Sequence, residues 1–152
     1  MKIAFDLDGT LVREAHPFPL ESKVKNKSLS DEKMRLGVVS LWEQLKAAGH
    51  ELWVYTFSYR AIDKIENLFH KYGLEITGAI NYPIHEETLR TSHSDFGGYW
   101  KYPPLWGFDL LIDNMPEIAR EGEEYGFEVL LLQEDDTAWV QKVLDRVHVL
   151  NS

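Results

Sequence analysis

Two acidic side chains separated by a single residue, Asp6 and Asp8, follow a short apolar run and precede Gly9, a turn former. Residues two apart at the end of a strand point the same way, so these carboxylates are expected to crowd one small space. Two like charges that close are costly unless a cation compensates them. Magnesium suits such a place, because it prefers oxygen ligands and binds one or two carboxylates together with phosphate oxygens. The alternative is that both acids only cap a turn.

Three further polar residues follow or lie near other predicted strands. Thr56 and Asp113 each fall at the end of an apolar run, and Lys101 lies in the segment before the second of these runs. Because ligands of parallel α/β sheets bind beyond the carboxyl ends of the strands, we expect these side chains near Asp6. Asp113 would then be a third acidic metal ligand. This arrangement makes it less favoured that Asp6 and Asp8 only cap a turn.

The chain alternates between short apolar runs and segments with helical spacing of apolar residues, each typical of one layer of an α/β protein. This predicts one domain over 1–152, a three-layer sandwich with a central parallel sheet and a Rossmann-like order. Ser30 is predicted to start the first helix, and a long loop is predicted from 81 to 108. The strands are predicted at Lys2–Leu7, Glu51–Tyr55, Ile76–Ile80, Leu110–Ile112 and Val129–Leu132. Apolar residues at helical spacing cover 38–48 in the first helix, and the later helices are predicted at 62–72, 116–125 and 137–147.

Composition narrows the classes of function. The net charge is −9, so the average field repels nucleic acid backbones and anionic membranes, and no nucleic acid surface is expected. The absence of cysteine excludes disulfides, thiolate catalysis and cysteine-ligated metals. No stretch approaches membrane-spanning length, and a cytoplasmic location is predicted.

Four short segments together resemble the haloacid dehalogenase-like superfamily, as a small capless phosphatase. The segment 6–12, Asp-Leu-Asp-Gly-Thr-Leu-Val, looks like its first motif, and Trp53–Thr56 is similar to its second. Leu110–Asn114, followed by Pro-Glu, resembles the fourth motif, and Lys101 is the candidate for the lysine of the third.

This resemblance implies a magnesium-dependent phosphohydrolase that cleaves a phosphomonoester. Asp6 would be the nucleophile that forms an aspartyl-phosphate, and Asp8 would protonate the leaving oxygen, activate water and bind magnesium through its backbone carbonyl. Asp113 would bind magnesium directly and Asn114 through a water; because Asn114 stands where many relatives carry Asp, we expect weaker magnesium binding. Lys101 would neutralise transition-state charge.

The remaining implied contacts concern the substrate. Thr56 and nearby backbone amides, that of Phe57 among them, would hold the phosphoryl oxygens. Arg60 is a candidate for a second anionic group of the substrate, with a solvated arginine as the alternative, and Thr10 is a further candidate contact.

The places where this superfamily carries cap domains hold only the short insertions 13–30 and 81–100. An open site favours either a larger substrate or closure by a second subunit in a homo-oligomer. The alternatives are a phosphomutase or phosphonate hydrolase, or a catalytically silent phosphate-binding or interaction domain. His85 and His93 are interpreted as polar loop residues rather than zinc ligands. An aromatic cluster around Lys101 is predicted either to wall a pocket or to pack its loop: Tyr99, Trp100, Tyr102 and Trp106.

Overall fold

The computed structural model describes residues 1–92 and 100–152. Within these residues, one all-parallel sheet has the strand order β3–β2–β1–β4–β5. Its strands are β1 (Lys2–Phe5), β2 (Glu51–Tyr55), β3 (Gly78–Ile80), β4 (Leu110–Asp113) and β5 (Val129–Leu131). The helices between and after them are α1 (Val38–Ala47), α2 (Ile62–His70), α3 (Tyr82–Thr91), α4 (Pro116–Tyr125) and α5 (Trp139–Leu150), and short 3-10 turns occur at Lys27–Leu29 and Pro103–Trp106.

Helices cover both faces of the sheet, as a buried parallel sheet requires. Alternate strand residues such as Phe5, Val54 and Ile112 pack with α1, α2 and α5 in the larger core. Their neighbours Ala4 and Leu111 belong to a smaller core on the other face, where α3, α4 and the turn Pro103–Trp106 pack. The predicted three-layer α/β sandwich with a central parallel sheet is therefore confirmed.

The strand order places a crevice at the edge where β1 lies between β2 and β4. The chain moves outward from β1 through β2 to β3, then crosses to the other side of β1 to form β4 and β5. In open parallel sheets, such a reversal leaves a gap beyond the carboxyl ends of the central strands. Asp6 and Asp113 are at the carboxyl ends of the two strands that flank this reversal, and the amide of Asp6 still donates to the Ile112 carbonyl at 2.9 Å.

Two predicted elements were wrong. The first helix begins at Val38 and not near Ser30, because Met34 and Arg35 pair as isolated bridges with Val12 and Leu20. These bridges use backbone groups that a helix from Ser30 would need.

The segment predicted as a long loop contains α3. Asn81 caps this helix by accepting the amide of Ile84 at 3.0 Å, and a proline occupies its first turn. The insertion 81–100 is thus partly helical, whereas 13–30 is irregular apart from its 3-10 turn. In the part of the chain that the structure describes, no helix is both long and apolar enough to cross a membrane.

Candidate active site

A polar cavity of about 230 Å³ opens at the carboxyl edge of the sheet. Residues from the turns after β1 and β2 line it, together with a lysine from the segment before β4 and residues that follow β4. They are Asp6, Asp8, Glu14, Thr56, Phe57, Ser58, Lys101, Asn114 and Met115. Six residues predicted for the site from the sequence are among them.

Lys101 joins Asp6 and Asp113 at the base of this cavity. Its Nζ lies 3.0 Å from Asp6 Oδ1 and 2.7 Å from Asp113 Oδ2, and the three side chains are at most 10% exposed. The ammonium also lies over the Tyr55 and Phe57 rings, 5.4 Å from each centroid. Asp113 therefore does not line the cavity itself, but it shares the ammonium group with Asp6.

The two residues just before α4 supply the other partners of Asp113. Asp113 Oδ1 accepts the backbone amides of Asn114 and Met115, at 2.8 and 3.1 Å, where α4 begins. A carboxylate at a helix N-terminus is stabilised by these donors and by the helix dipole. Asp113 is consequently fixed in orientation on both of its oxygens.

Within the buried group formed by Asp6, Asp113 and Lys101, Asp6 and Lys101 retain their protons to a higher pH than the free side chains would. Burial raises the pKa of Asp6 to about 7; the nearby Lys101 opposes this rise and the Asp113 charge adds to it. Burial lowers the pKa of Lys101, but the charges of Asp113 and Asp6 outweigh it and raise that pKa overall. Two carboxylates facing one ammonium leave an excess negative charge, which a proton or a further cation can neutralise.

The turn after β1 holds Asp6 from the opposite side. Thr10 Oγ1 donates to Asp6 Oδ2 at 3.0 Å and lies 3.4 Å from Asn114 Oδ1. Gly9 has a φ of +84°, and a Cβ at this position would overlap the Asn114 side chain. Glycine is therefore required both for the turn and for the approach of Asn114. Thr10 contacts the predicted nucleophile and does not line the cavity.

Asp8 is bound by Arg60. The guanidinium donates to both oxygens of Asp8, at 3.0 and 2.8 Å, and its Nε and Nη2 donate to Glu32. The hydrogen bonds to Asp8 are the largest cause of the raised pKa of Arg60. Arg60 is itself held, because its amide donates to Ser58 Oγ and its carbonyl accepts the Asn81 side chain. Its predicted contact with a second anionic group of the substrate stays a prediction.

Thr56 shapes the turn after β2. It is buried, its amide donates to the Ile80 carbonyl, and its Oγ1 accepts the amide of Ser58 at 3.0 Å. An accepting hydroxyl still has its own proton to donate. Thr56 and Phe57 line the cavity, where phosphoryl oxygens were predicted.

The donor set of the cavity fits magnesium in its chemistry. Among the described residues, no group of three or more His, Cys, Asp or Glu is assembled to hold a metal ion. The available donors are nevertheless carboxylate and amide oxygens, which magnesium prefers. The charged side chains around the cavity are Asp6, Asp8, Glu14, Asp113 and Glu32 against Lys101 and Arg60, a formal excess of three negative charges, of which a divalent cation would balance two.

The side chains packed around Lys101 include residues that were not predicted from the sequence or were predicted in a different role. Tyr55, beneath the ammonium, bonds to His85 Nδ1 at 2.6 Å and accepts the amide of Tyr102 at 3.0 Å. His85 was predicted as a polar loop residue; it is buried on α3, and burial, with a smaller effect of Lys101, lowers its pKa to about 4. Trp106 packs edge-on against Tyr55 and helps to pack the loop. His93 and Tyr99 lie outside the described residues.

A second missed residue, Arg35, braces the turn that carries Asp6. Its buried guanidinium donates to the carbonyl of Thr10 at 3.2 Å, and it lies between the rings of Phe18 and Trp139. The same group donates to three carbonyls of the loop before α5, those of Gln133, Glu134 and Asp136. Neither Arg35 nor Glu32 carries a local sequence signal, because their partners lie far away in the chain.

The fold and the site together define a parallel α/β protein with an acidic cavity at its topological reversal. No family model matches the chain, and no curated protein matches it either. Among solved structures, the chain is similar to a chain of the Pnkp1/Rnl/Hen1 complex, with 16% identity and a TM-score of 0.53. The match covers 86% of this chain and 45% of that one, so this chain spans less than half of its length. At this identity the likeness shows the fold alone.

These comparisons contradict the predicted membership of the haloacid dehalogenase-like superfamily. The family search finds no match, and the structural likeness is to a chain of the Pnkp1/Rnl/Hen1 complex. The physical reason for the error is that the motifs are short. An apolar strand that ends in an acidic turn is a recurrent feature of parallel α/β sheets, and a shared fold does not imply a shared function.

Proposed function

We propose that this chain is a magnesium-dependent phosphohydrolase that cleaves a phosphomonoester and uses Asp6 as the nucleophile. The observation that carries the proposal is the environment of Asp6: a buried carboxylate at the base of a cavity, held by Lys101 on one oxygen and by Thr10 on the other. Both contacts fix its orientation, and Asp8 lines the same cavity. A fixed carboxylate beside a second one is a suitable arrangement for nucleophilic catalysis with a separate acid–base group.

The first step transfers the phosphoryl group to the protein. A carboxylate oxygen of Asp6 forms a bond to phosphorus while the ester P–O bond breaks, and the leaving oxygen takes a proton from Asp8. Lys101 and the hydroxyl of Thr56 stabilise the charge that develops on the transferred group. In the second step a water gives a proton to Asp8 as its oxygen attacks phosphorus, and cleavage of the bond to Asp6 releases phosphate and restores the carboxylate.

Magnesium, when bound, would offset the negative charge shared by the phosphoryl group and the carboxylates. Asp6 and the backbone carbonyl of Asp8 would hold it and Asn114 would orient one of its waters, whereas Asp113 would join them only after its Oδ2 leaves Lys101. Without a cation, burial raises the pKa of Asp6 to about 7 and so disfavours the ionised nucleophile. A cation bound beside Asp6 would favour its ionised form.

Arg60 has to release part of its hold before Asp8 carries a proton, because both oxygens of Asp8 accept N–H groups of Arg60. Phosphoryl oxygens that enter the cavity compete for these groups. Glu32 keeps Arg60 in place during the exchange through its own contacts with Nε and Nη2.

The test is hydrolysis of an aryl phosphate with magnesium and with a chelator. Asp6→Asn is expected to reduce the magnesium-dependent rate by roughly 10⁴-fold or more, as loss of a nucleophile does. The matched control is Asp109→Asn, at the opposite end of β4, where the carboxylate accepts the amide of Lys2. Unchanged turnover in Asp6→Asn, or an equal loss in Asp109→Asn, refutes the nucleophile assignment.

A catalytically silent phosphate-binding domain is the second candidate, and one observation favours it. Three site carboxylates are already paired, Asp6 and Asp113 with Lys101 and Asp8 with Arg60. Beryllium fluoride with magnesium distinguishes the two candidates, since it occupies a site that forms an aspartyl-phosphate. Absence of the adduct on Asp6, together with binding of inorganic phosphate, supports the silent domain.

The cytoplasmic location and closure of the site by a second subunit stay predictions, to be checked by cell fractionation and by sedimentation.

A further inference from the structure

An aromatic row runs from the candidate site to the surface of the protein. Phe57 lines the cavity, its ring lies 5.4 Å from that of Tyr82, and Tyr82 lies 5.2 Å from Tyr59. The inner end of the row is packed, with Phe57 4.7 Å from His85. The outer end is open, because Tyr59 is 74% exposed.

The position of Tyr59 ties this exposed ring to the cavity. Tyr59 follows Ser58, which lines the cavity, and precedes Arg60, which binds Asp8. Two residues of chain lie between it and Thr56, so their Cα atoms are at most about 11 Å apart. The backbone between them is fixed by the hydrogen bonds of Ser58 to Thr56 and of Arg60 to Ser58. Tyr59 therefore lies on an ordered turn between a residue that lines the cavity and a residue that binds Asp8.

We propose that Tyr59 and Tyr82 form a stacking subsite for the nucleobase of a nucleoside monophosphate whose phosphate occupies the cavity. This inference rests on the proposed function, since it assigns the part of the substrate beyond the phosphoryl group. Aromatic rings next to a cavity lined by charged and polar side chains fit a ligand with a charged end and a planar end. In this arrangement the phosphate would occupy the cavity and the base would lie against the rings that follow Phe57 outward, Tyr82 and Tyr59. The net charge of −9 opposes a polynucleotide more strongly than a single nucleotide.

The test compares two ligands that differ only in the base. Binding of adenosine 5′-monophosphate and of ribose 5-phosphate is measured by calorimetry in the Asp6→Asn background, where the ligand stays intact. Tyr59→Leu is expected to weaken the binding of the nucleotide roughly 5- to 150-fold, the range for one lost base–aromatic stack, and to change that of ribose 5-phosphate far less. Tyr82→Leu is expected to act in the same direction.

The control is Tyr125→Leu, a 44% exposed tyrosine at the far end of α4. Ten residues of helix place it about 15 Å from the start of α4 and from the cavity edge. Equal affinity of the two ligands for the parent protein, or an unchanged ratio in Tyr59→Leu, overturns the subsite. A preference for phenyl phosphate over methyl phosphate that depends on Tyr59 also overturns it, in favour of a directly attached ring.

Failure of the two proposals is distinguishable. If the unaltered chain hydrolyses no phosphomonoester but the nucleotide still binds through Tyr59, the proposed reaction fails and the subsite stands. If ribose 5-phosphate and the nucleotide are hydrolysed with the same kcat/KM, the reaction stands and the subsite fails.

Discussion

Replacement of Lys101 by methionine tests the electrostatics of the site without any assumption about its reaction. Methionine keeps most of the apolar stem over Tyr55 and Phe57, so the main loss is the positive charge. Asp6 and Asp113 then face each other without the ammonium that lies 3.0 and 2.7 Å from them. Removal of one partner from a buried ion pair typically costs about 3–5 kcal/mol.

The expected loss in the free energy of unfolding is therefore about 3–5 kcal/mol in chelator-containing buffer at pH 8. The loss is smaller at pH 6, because there Asp6 takes up a proton and the repulsion ends. Urea unfolding followed by tryptophan fluorescence measures it. A domain with an ordinary stability of about 5–15 kcal/mol remains folded.

Two further variants test whether the stability lost in Lys101→Met is due to the buried carboxylates that the ammonium had paired. Lys101→Met combined with Asp113→Asn is expected to recover at least about 2 kcal/mol, because neighbouring changes in one network do not add. Asn at 113 keeps an oxygen for the amides of Asn114 and Met115. Lys142→Met, in an exposed pair with Asp136, is expected to cost less than about 1 kcal/mol. A double variant as unstable as the single one, or a Lys101→Met protein as stable as the parent, refutes this account of the site.

Three other outcomes follow from the structure. Gly9→Ala is expected to lower the free energy of unfolding more than Gly49→Ala does. Both glycines have positive φ, which costs an alanine roughly 1–3 kcal/mol, but only at Gly9 does the added methyl meet Asn114. Equal urea midpoints of the two variants would exclude the overlap. His85 has a pKa of about 4 when folded and 6.5 as its ordinary value, so stability is expected to fall by up to about 3 kcal/mol as the pH drops from 6.5 to 4, and to fall less steeply in His85→Gln. Asp6 has its pKa raised from 3.8 to about 7, so its ionisation costs stability as the pH rises through this window; without metal, Asp6→Asn is expected to gain up to about 4 kcal/mol over the parent at pH 8 and nothing at pH 3.5, and parallel pH–stability curves would contradict the shift.

The strands and the positions of the acids could be predicted because they depend on local patterns. Strand β2 has the predicted bounds Glu51–Tyr55, and helix α4 begins at the predicted Pro116. A buried parallel strand is a continuous apolar run, so its end is visible in the sequence. Once the strands are parallel, the fold itself gathers Asp6 and Asp113 at one edge.

Helix α3 could not be predicted from its apolar spacing, because His85 is its one buried residue among those described. Its signals were the capping Asn81 and the proline that follows, which are weaker than a periodic apolar face. The predicted start at Ser30 failed for the opposite reason. Ser30 does accept the amide of Glu32 at 3.1 Å, but the bridge between Met34 and Val12 overrides this local preference.

The partners of the site residues were the least predictable part. Glu32 and Arg60 are 28 residues apart, and Arg60 is 52 residues from Asp8. Such pairs are set by where the turns meet in the fold. The sequence indicated an arginine near the cavity, but it could not show that a carboxylate of the protein already binds it.

The brace formed by Arg35 has a consequence for biosynthesis. Its guanidinium connects the carbonyl of Thr10 to carbonyls 98 to 101 residues further along than Arg35 itself. On the ribosome, the first turn of the chain emerges long before those carbonyls do, and domains are generally completed as units. The cavity at the carboxyl edge of the sheet is thus expected to acquire its final shape only when the loop before α5 has been synthesised and has docked. Under the proposed function, a nascent fragment that ends at β5 should bind no phosphate.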